Sequence, residues 1–330
     1  MPSCNCSNKL FLGNIGEEYM LRTEYAYPSS DGERRIISTI WTPENKQNIK
    51  AVIQIGHGMK EHVERYAGFA ERLTDCGFAV VGNDHMGHGR CAETKDDLGY
   101  FTEKEPSEKL VEDMYTMTRK AKEMFRNTPY FIVGHSMGSL VLRRYLMKYG
   151  EKIDGAAIVG TTWQDQWRVR LGIFMVDILK LFKGSRYRSE KINSLMNGRV
   201  PKKKNKDADI NEEQTKKDKY AGDPYGDFVF TLNGFRTLFS TIAYIQKKNN
   251  IAKMPKDIPL FIMSGADDPI GGYGKNIQKV YEVFKAAGIQ DVQMKLYDGF
   301  KHELFKETCC DEAYEDLMEW IESRKKKVVE

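Results

Sequence analysis

The stretch Tyr130-Phe131-Ile132-Val133-Gly134-His135-Ser136-Met137-Gly138-Ser139-Leu140-Val141 constrains this chain more than any other. β-favouring residues run into Gly-x-Ser-x-Gly, and a helical apolar pattern follows at once. Strand, sharp turn and helix in that order form a nucleophile elbow, a turn that presents a serine hydroxyl at the tip of a strand. The turn forces Ser136 into a strained backbone conformation, and only small residues fit around it, hence Gly134 and Gly138. The same residues could in principle be a glycine-rich turn with an incidental serine. The flanking strand and helix argue against that.

The elbow sits within an alternation of short apolar strands and helices. Leu21 to Tyr27 and Arg35 to Trp41 read as the arms of a hairpin around Pro28-Ser29-Ser30-Asp31-Gly32. Buried strands are expected at Ala51–Ile55, Gly77–Val81, Ile153–Val159, Pro259–Met263 and Val292–Tyr297. Helices are expected over 62–75, from Pro106 to about Asn127, near 273–287 and over 311–325. This order implies an α/β fold with a mostly parallel eight-stranded sheet, helices on both faces and an antiparallel edge. Residues 161–254 break the alternation. A connection that long is rarely a bare loop, so it reads as an inserted helical cap, or lid, on a core of 1–160 and 255–330. Its lysine-rich run, Pro201 to Lys206, reads as a solvated loop. Residues 1–20 read as a loose lead-in.

Within the cap, Val169 to Phe182 is too apolar for an ordinary surface helix and too short to span a bilayer. It either packs wholly against the core or turns one face to a pocket and the other to a lipid surface. The basic fringe of Arg168, Arg170, Lys180, Lys183, Arg186 and Arg188 suits anionic headgroups. Transient membrane-surface contact through the cap is therefore expected. A net charge of +4, evenly spread, gives no footprint for nucleic acid. Six cysteines without scaffold spacing point to a reducing compartment, and no secretory leader or membrane span is read. The expected location is cytoplasmic, with peripheral membrane contact. Cys4, Cys6, Cys309 and Cys310 could hold a metal only if the termini met, and no histidine flanks them at zinc-finger spacing.

A serine hydroxyl needs a base to remove its proton. In this sheet type the order along the chain is serine, acid, histidine. Of the six histidines only His302 follows Ser136. The acid should follow a strand between them, where Ser264-Gly265-Ala266-Asp267-Asp268-Pro269 lies. Asp268, before proline and so biased to extended backbone, is the first choice and Asp267 the alternative. Two backbone N–H groups should receive the oxyanion: Met137, just after the nucleophile, and Met59, in the loop after an earlier strand. A competing cluster, His57, His62, Asp84, His85 and His88, could be a metallohydrolase site, but it would leave the elbow unexplained. No metal and no cofactor is expected.

With these pieces assembled, the chain resembles the α/β-hydrolase superfamily, in its monoacylglycerol lipase and lysophospholipase branch. The matching pieces are His57-Gly58-Met59-Lys60-Glu61-His62 with Arg65-Tyr66, Asp84-His85-Met86-Gly87-His88-Gly89, Gly134 to Gly138, Gly265 to Pro269, and Lys301-His302-Glu303. The resemblance implies Ser136, Asp268 and His302 as a triad, Met59 and Met137 as oxyanion donors, and Glu61, Arg65 and His135 as holders of a glycerol end. A buried Glu61–Arg65 ion pair that fixes the loop is the alternative for the first two. The implied activity is serine ester hydrolysis of a small-molecule lipid ester, a monoacylglycerol or lysolipid, through an acyl-enzyme. Two other functions compete. An aminopeptidase or amidase on the same fold would need a cap carboxylate for the substrate ammonium, with Asp165, Asp223 and Asp227 available. A ligand-binding protein with a dead site would not need an intact triad.

Overall fold

The computed structural model describes residues 20–45, 48–196, 222–306 and 311–324. The hairpin forms from β1 (Met20–Pro28) and β2 (Arg35–Pro43), in antiparallel register with Tyr27 opposite Ile36. It is followed by β3 (Val52–Gly56), β4 (Ala79–Asn83), β5 (Tyr130–His135), β6 (Gly155–Val159), β7 (Leu260–Gly265) and β8 (Val292–Tyr297). Together they make one eight-stranded sheet in the order β1-β2-β4-β3-β5-β6-β7-β8. The β1–β2 and β2–β4 pairs are antiparallel and the rest parallel. Strands β3 to β7 are buried along their whole length, which explains their unbroken apolar runs. Gln54, the polar exception in β3, donates to Met114 O at 2.9 Å and accepts from Thr118 and Tyr130 hydroxyls at 2.7 and 2.8 Å.

Helices cover both faces. On one lie α1 (Ala67–Asp75) and, as introduced later in the chain, the terminal helix Asp311–Arg324, with Phe69, Leu73, Leu317 and Trp320 in its core. On the other lie α2 (Pro106–Met124) and α3 (Met137–Tyr149), with Leu110, Met114, Met117 and Leu142 inward, and the helix Lys275–Ala286 with Val280 and Phe284. The expected boundaries shift where turns intervene. Gly77, at φ 87°, closes α1 by donating to Thr74 O, and Phe78 N–H donates to Leu73 O, so β4 begins two residues late. Residues Val63–Tyr66 form a 3₁₀ turn before α1, because Asp84 Oδ1 captures the Val63 N–H at 2.7 Å.

Between β6 and β7 the chain leaves the sheet to form α4 (Gln166–Lys183), α5 (Glu190–Met196) and α6 (Leu232–Ile245). The two faces of this insertion differ sharply. On α6, Leu232, Phe235, Leu238, Phe239 and Ile242 are buried. Its N-terminus is stitched to the core: Thr231 Oγ1 donates to Gly99 O, and Asn233 exchanges hydrogen bonds with Phe101 N–H and Thr102 O. On α4 only Val169 and Val176 are buried, with Ile173 and Leu179 half-buried against the core. Trp167, Leu171, Phe174, Met175, Ile178, Leu181 and Phe182 are exposed, Leu181 by 79%. Of the two expectations for this segment, packing wholly against the core does not occur. The lysine-rich run and residues 1–19 of the lead-in lie outside the described residues, and Met20 opens β1. No described helix is long and apolar enough to cross a membrane.

The first turn of α3 runs so close to β3 that a Cβ on Gly138 would lie 2.0 Å from Gly56 O and 2.7 Å from His57 O. Gly138→Ala is expected to cost on the order of 1–3 kcal/mol through overpacking and to lower the melting temperature by several degrees in calorimetry. Gly68→Ala, where a Cβ meets nothing within 4 Å, should leave it unchanged or raised.

Candidate active site

Ser136 joins β5 to α3 at φ 52° and ψ −119°, a conformation that costs a non-glycine residue about 1–3 kcal/mol. It is held there from both sides. Its N–H donates to Val159 O at 3.0 Å, and its carbonyl accepts from Ser139 N–H at 2.9 Å and from the Ser139 hydroxyl at 2.5 Å.

The loops after β7 and β8 bring their side chains to this serine. His302 Nε2 lies 2.8 Å from Ser136 Oγ, and His302 Nδ1 lies 2.8 Å from Asp268 Oδ2. A carboxylate can only accept, so Nδ1 carries the proton and Nε2 turns its lone pair to the hydroxyl. Asp268 is fully buried and also accepts from Ile270 N–H at 2.8 Å and the Ser264 hydroxyl at 3.3 Å. Burial pushes its carboxyl up, but the His302 imidazole and the Ile270 and Gly271 amides outweigh that and hold it below its ordinary range. Asp267 is exposed, and its N–H is turned away to Phe300 O, so it does not meet the imidazole. Gly160, at φ 57°, gives the ring its space, since a Cβ there would lie 3.1 Å from His302 Cε1.

The loop after β3 is fixed by buried polar groups. Burial pushes the His57 imidazole well below its ordinary pKa, so it is neutral. His57 Nε2 accepts from His85 N–H at 2.9 Å, which leaves Nδ1–H to donate to Gly58 O at 2.8 Å. In a trans peptide the N–H points opposite the C=O, so this bond turns the Met59 N–H away from His57. Met137 is the first residue of α3, and its N–H has no intrahelical acceptor. Among the described residues neither N–H meets an acceptor. The histidines of the competing cluster are held in this packing, although His85 Nε2 and His88 Nε2 meet no hydrogen-bond partner among the described residues. His88 Nδ1 lies 3.0 Å from Met86 O, its ring lies among Phe101, Phe228 and Phe230, and burial pushes His85 to about 3 and His88 to about 4. Among the described residues no three His, Cys, Asp or Glu converge to hold a metal ion. Cys4, Cys6, Cys309 and Cys310 lie outside them.

The three residues assigned to a glycerol end are turned to internal partners. Glu61 and Arg65 do not pair with each other. Arg65 clasps Asp223 of the insertion through Nε at 2.9 Å and Nη2 at 2.7 Å, and His62 Nε2 adds a contact at 3.1 Å. Glu61 Oε2 accepts from Gly58 N–H at 2.7 Å and Tyr66 hydroxyl at 2.9 Å, while Oε1 meets Lys306 Nζ. His135 is buried, with Nδ1 3.0 Å from the Tyr66 hydroxyl and Nε2–H donating to His302 O at 3.0 Å. Lys306 carries no sequence signal of its own; only its nearness to His302 in the chain hints at a place in the site.

The family model for serine aminopeptidase, S33, matches residues 47–309. The chain belongs to this α/β-hydrolase family. Relatives of this S33 hydrolase include the monoacylglycerol lipase of Mycolicibacterium smegmatis, 25% identical over 306 residues, covering 92% of this chain and 98% of the relative. A thermostable carboxyl esterase from Bacillus coagulans, solved with glycerol, superposes with a TM-score of 0.79 at 25% identity, covering 92% of this chain and 98% of that one. A soluble variant of monoglyceride lipase from Saccharomyces cerevisiae, solved with a substrate analog, shares the fold at 19% identity and a TM-score of 0.72, covering 97% and 100%. The chain is thus a hydrolase in the company of lipases and esterases.

The two carboxylates of the Asp-Asp pair separate cleanly by mutation. Asp268→Asn leaves the S33 hydrolase imidazole in the wrong tautomer and is expected to lower kcat on a p-nitrophenyl ester by about 10⁴-fold. Asp267→Asn should stay within about 2-fold of wild type, as an exposed side chain away from the imidazole.

Proposed function

We propose that this chain is a serine carboxylic-ester hydrolase acting on monoacylglycerol or lysolipid-type esters. The observation that carries the reading is the unbroken line Ser136 Oγ, His302, Asp268, with both hydrogen bonds at 2.8 Å. Ser136 Oγ attacks the ester carbonyl while His302 Nε2 takes its proton. Asp268 stabilises the resulting imidazolium, and the Met59 and Met137 N–H groups receive the oxyanion. Collapse of the tetrahedral intermediate expels the alcohol, which takes the proton from His302 and leaves an acyl group on Ser136. Water, deprotonated by the same imidazole, then attacks the acyl carbonyl and releases the acid.

The substrate class is supported by the lipase names of the relatives. An aminopeptidase needs a carboxylate free to hold a substrate ammonium. Asp223 is already saturated by Arg65 and His62, Asp165 pairs with Arg168 at the surface, and Asp227 is exposed. Of the three only Asp227, exposed and close to Lys60, stands without an ion-pair partner among the described residues, so the lipase names of the relatives carry the choice of an ester over a peptide. Fluorophosphonate labelling tests the reading directly: the wild type should be labelled and Ser136→Ala should not, with kcat reduced by about 10⁴-fold or more. Labelling that persists in Ser136→Ala removes the assignment. A panel of monoacylglycerols, p-nitrophenyl esters and aminoacyl amides should give its highest kcat/KM on the esters.

Residues 161–254 act in this reading as a cap over the site. The exposed apolar face of α4, with Arg170 and Lys183 exposed beside it, suits transient contact with an anionic lipid surface. Phe174→Ser and Leu181→Ser should therefore slow hydrolysis of long-chain monoacylglycerol in vesicles at least about 5-fold more than hydrolysis of a short dispersed ester. Ile173→Ser, whose side chain packs inward, should lower both together with the melting temperature. Equal losses on the two substrates for Phe174→Ser would remove the membrane role.

A further inference from the structure

The site is assembled from two loops far apart in sequence. Residues after β3 carry the Met59 N–H, and residues after β8 carry His302. The bond between Lys306 Nζ and Glu61 Oε1 joins these loops across 245 positions. Both partners are shielded, their side chains 9% and 6% exposed, and the Lys306 ammonium also lies 4.6 Å from the Tyr66 ring centroid. Burial pushes the ammonium down to about 7, and the carboxylate in contact opposes this by favouring the charged form.

Every other bond of Glu61 leads into the site. Oε2 takes the Gly58 N–H, the peptide group preceding the one that bears the Met59 N–H. The Tyr66 hydroxyl on the same oxygen sits against His135 Nδ1, and His135 Nε2–H holds the carbonyl of His302 itself. Without the ammonium, Glu61 would be a buried carboxylate facing only the Gly58 N–H, the Tyr66 hydroxyl and, at 3.4 Å, His135 Nδ1. Such a group takes up a proton and becomes a weaker acceptor for Gly58 N–H. We propose that Lys306 is a positioning residue for the reaction: through Glu61 it holds the oxyanion loop and the His302 loop in one frame. The proposal rests on the serine-hydrolase reading given above.

The test compares the full-length wild type, Glu61→Gln, the pair Glu61→Gln with Lys306→Met, and Ser136→Ala. Removing one member of a buried ion pair strands the other, whereas replacing both by neutral groups of similar size leaves no lone charge. The double variant is therefore expected to fold, with a melting temperature close to wild type. Its kcat on p-nitrophenyl butyrate should fall at least about 10-fold with KM within about 2-fold, and fluorophosphonate labelling should slow by a similar factor. Glu61→Gln alone strands the Lys306 ammonium, so its kcat should fall below wild type and its melting temperature should drop below that of the double variant. A folded double variant with wild-type kcat overturns the proposal; if it does not fold, wild-type kcat in Glu61→Gln does so. A wild type that the probe labels no faster than Ser136→Ala overturns the serine-hydrolase reading and this proposal with it. That result is distinct from a labelled wild type whose variants are unimpaired.

Discussion

The first turn of α3 meets the end of β3 with only a hydrogen atom's room at Gly138, which lies against the carbonyls of Gly56 and His57. This contact places the start of a helix beside the loop after a neighbouring strand. Met137, the first residue of that helix, thereby starts beside the loop that carries Met59. A methyl group at Gly138 would wedge helix and strand apart. The strained Ser136 backbone follows from the same demand. The chain must turn from β5 into a helix within one residue, and the bonds to Val159 and Ser139 hold it in a conformation it would not adopt alone.

Around that contact the protein concentrates polar groups where an apolar core would be easier to build. His57, Glu61, Asp84, His85, His88, His135 and Asp268 are all buried. Burial acts on them in opposite senses. It pushes His57, His85 and His88 toward the neutral form, and the His57 ring serves as a fixed donor and acceptor. Asp268 stays ionised because an imidazole and backbone amides outweigh the cost of desolvation. An ionised acid beside an imidazole that it orients is the arrangement that proton transfer from a serine hydroxyl requires.

The sequence carried the sheet well because β3 to β7 are buried on both faces, so their apolar runs have no competing period. The elbow was legible because glycine and serine there have no ordinary structural excuse. Chain order alone left one histidine, and the proline after Asp268 favoured it over Asp267, whose side chain is indeed exposed. Boundaries were less legible where a side chain steals a backbone group, as Asp84 does from Val63. The partners of Glu61 and Arg65 were not legible at all. They lie 245 and 158 positions away, and no local pattern distinguishes Lys306 or Asp223 from any surface lysine or aspartate. The exposed face of α4 was one of two readings that composition left open, and the inward turn of Ile173 depends on which side of that helix meets α6.

The clasp of Arg65 and His62 on Asp223 has a consequence for exchange of parts between relatives. It fastens the returning end of the insertion to the loop that bears the Met59 N–H, so the two have to change together. A chimera that imports a foreign segment for 161–221 keeps the native junction and its acid. One that imports through Phe235 brings in a new residue opposite Arg65 and strips Gly99, Phe101 and Thr102 of their stitches from Thr231 and Asn233. A seam on the N-terminal side of Asp223 keeps this clasp.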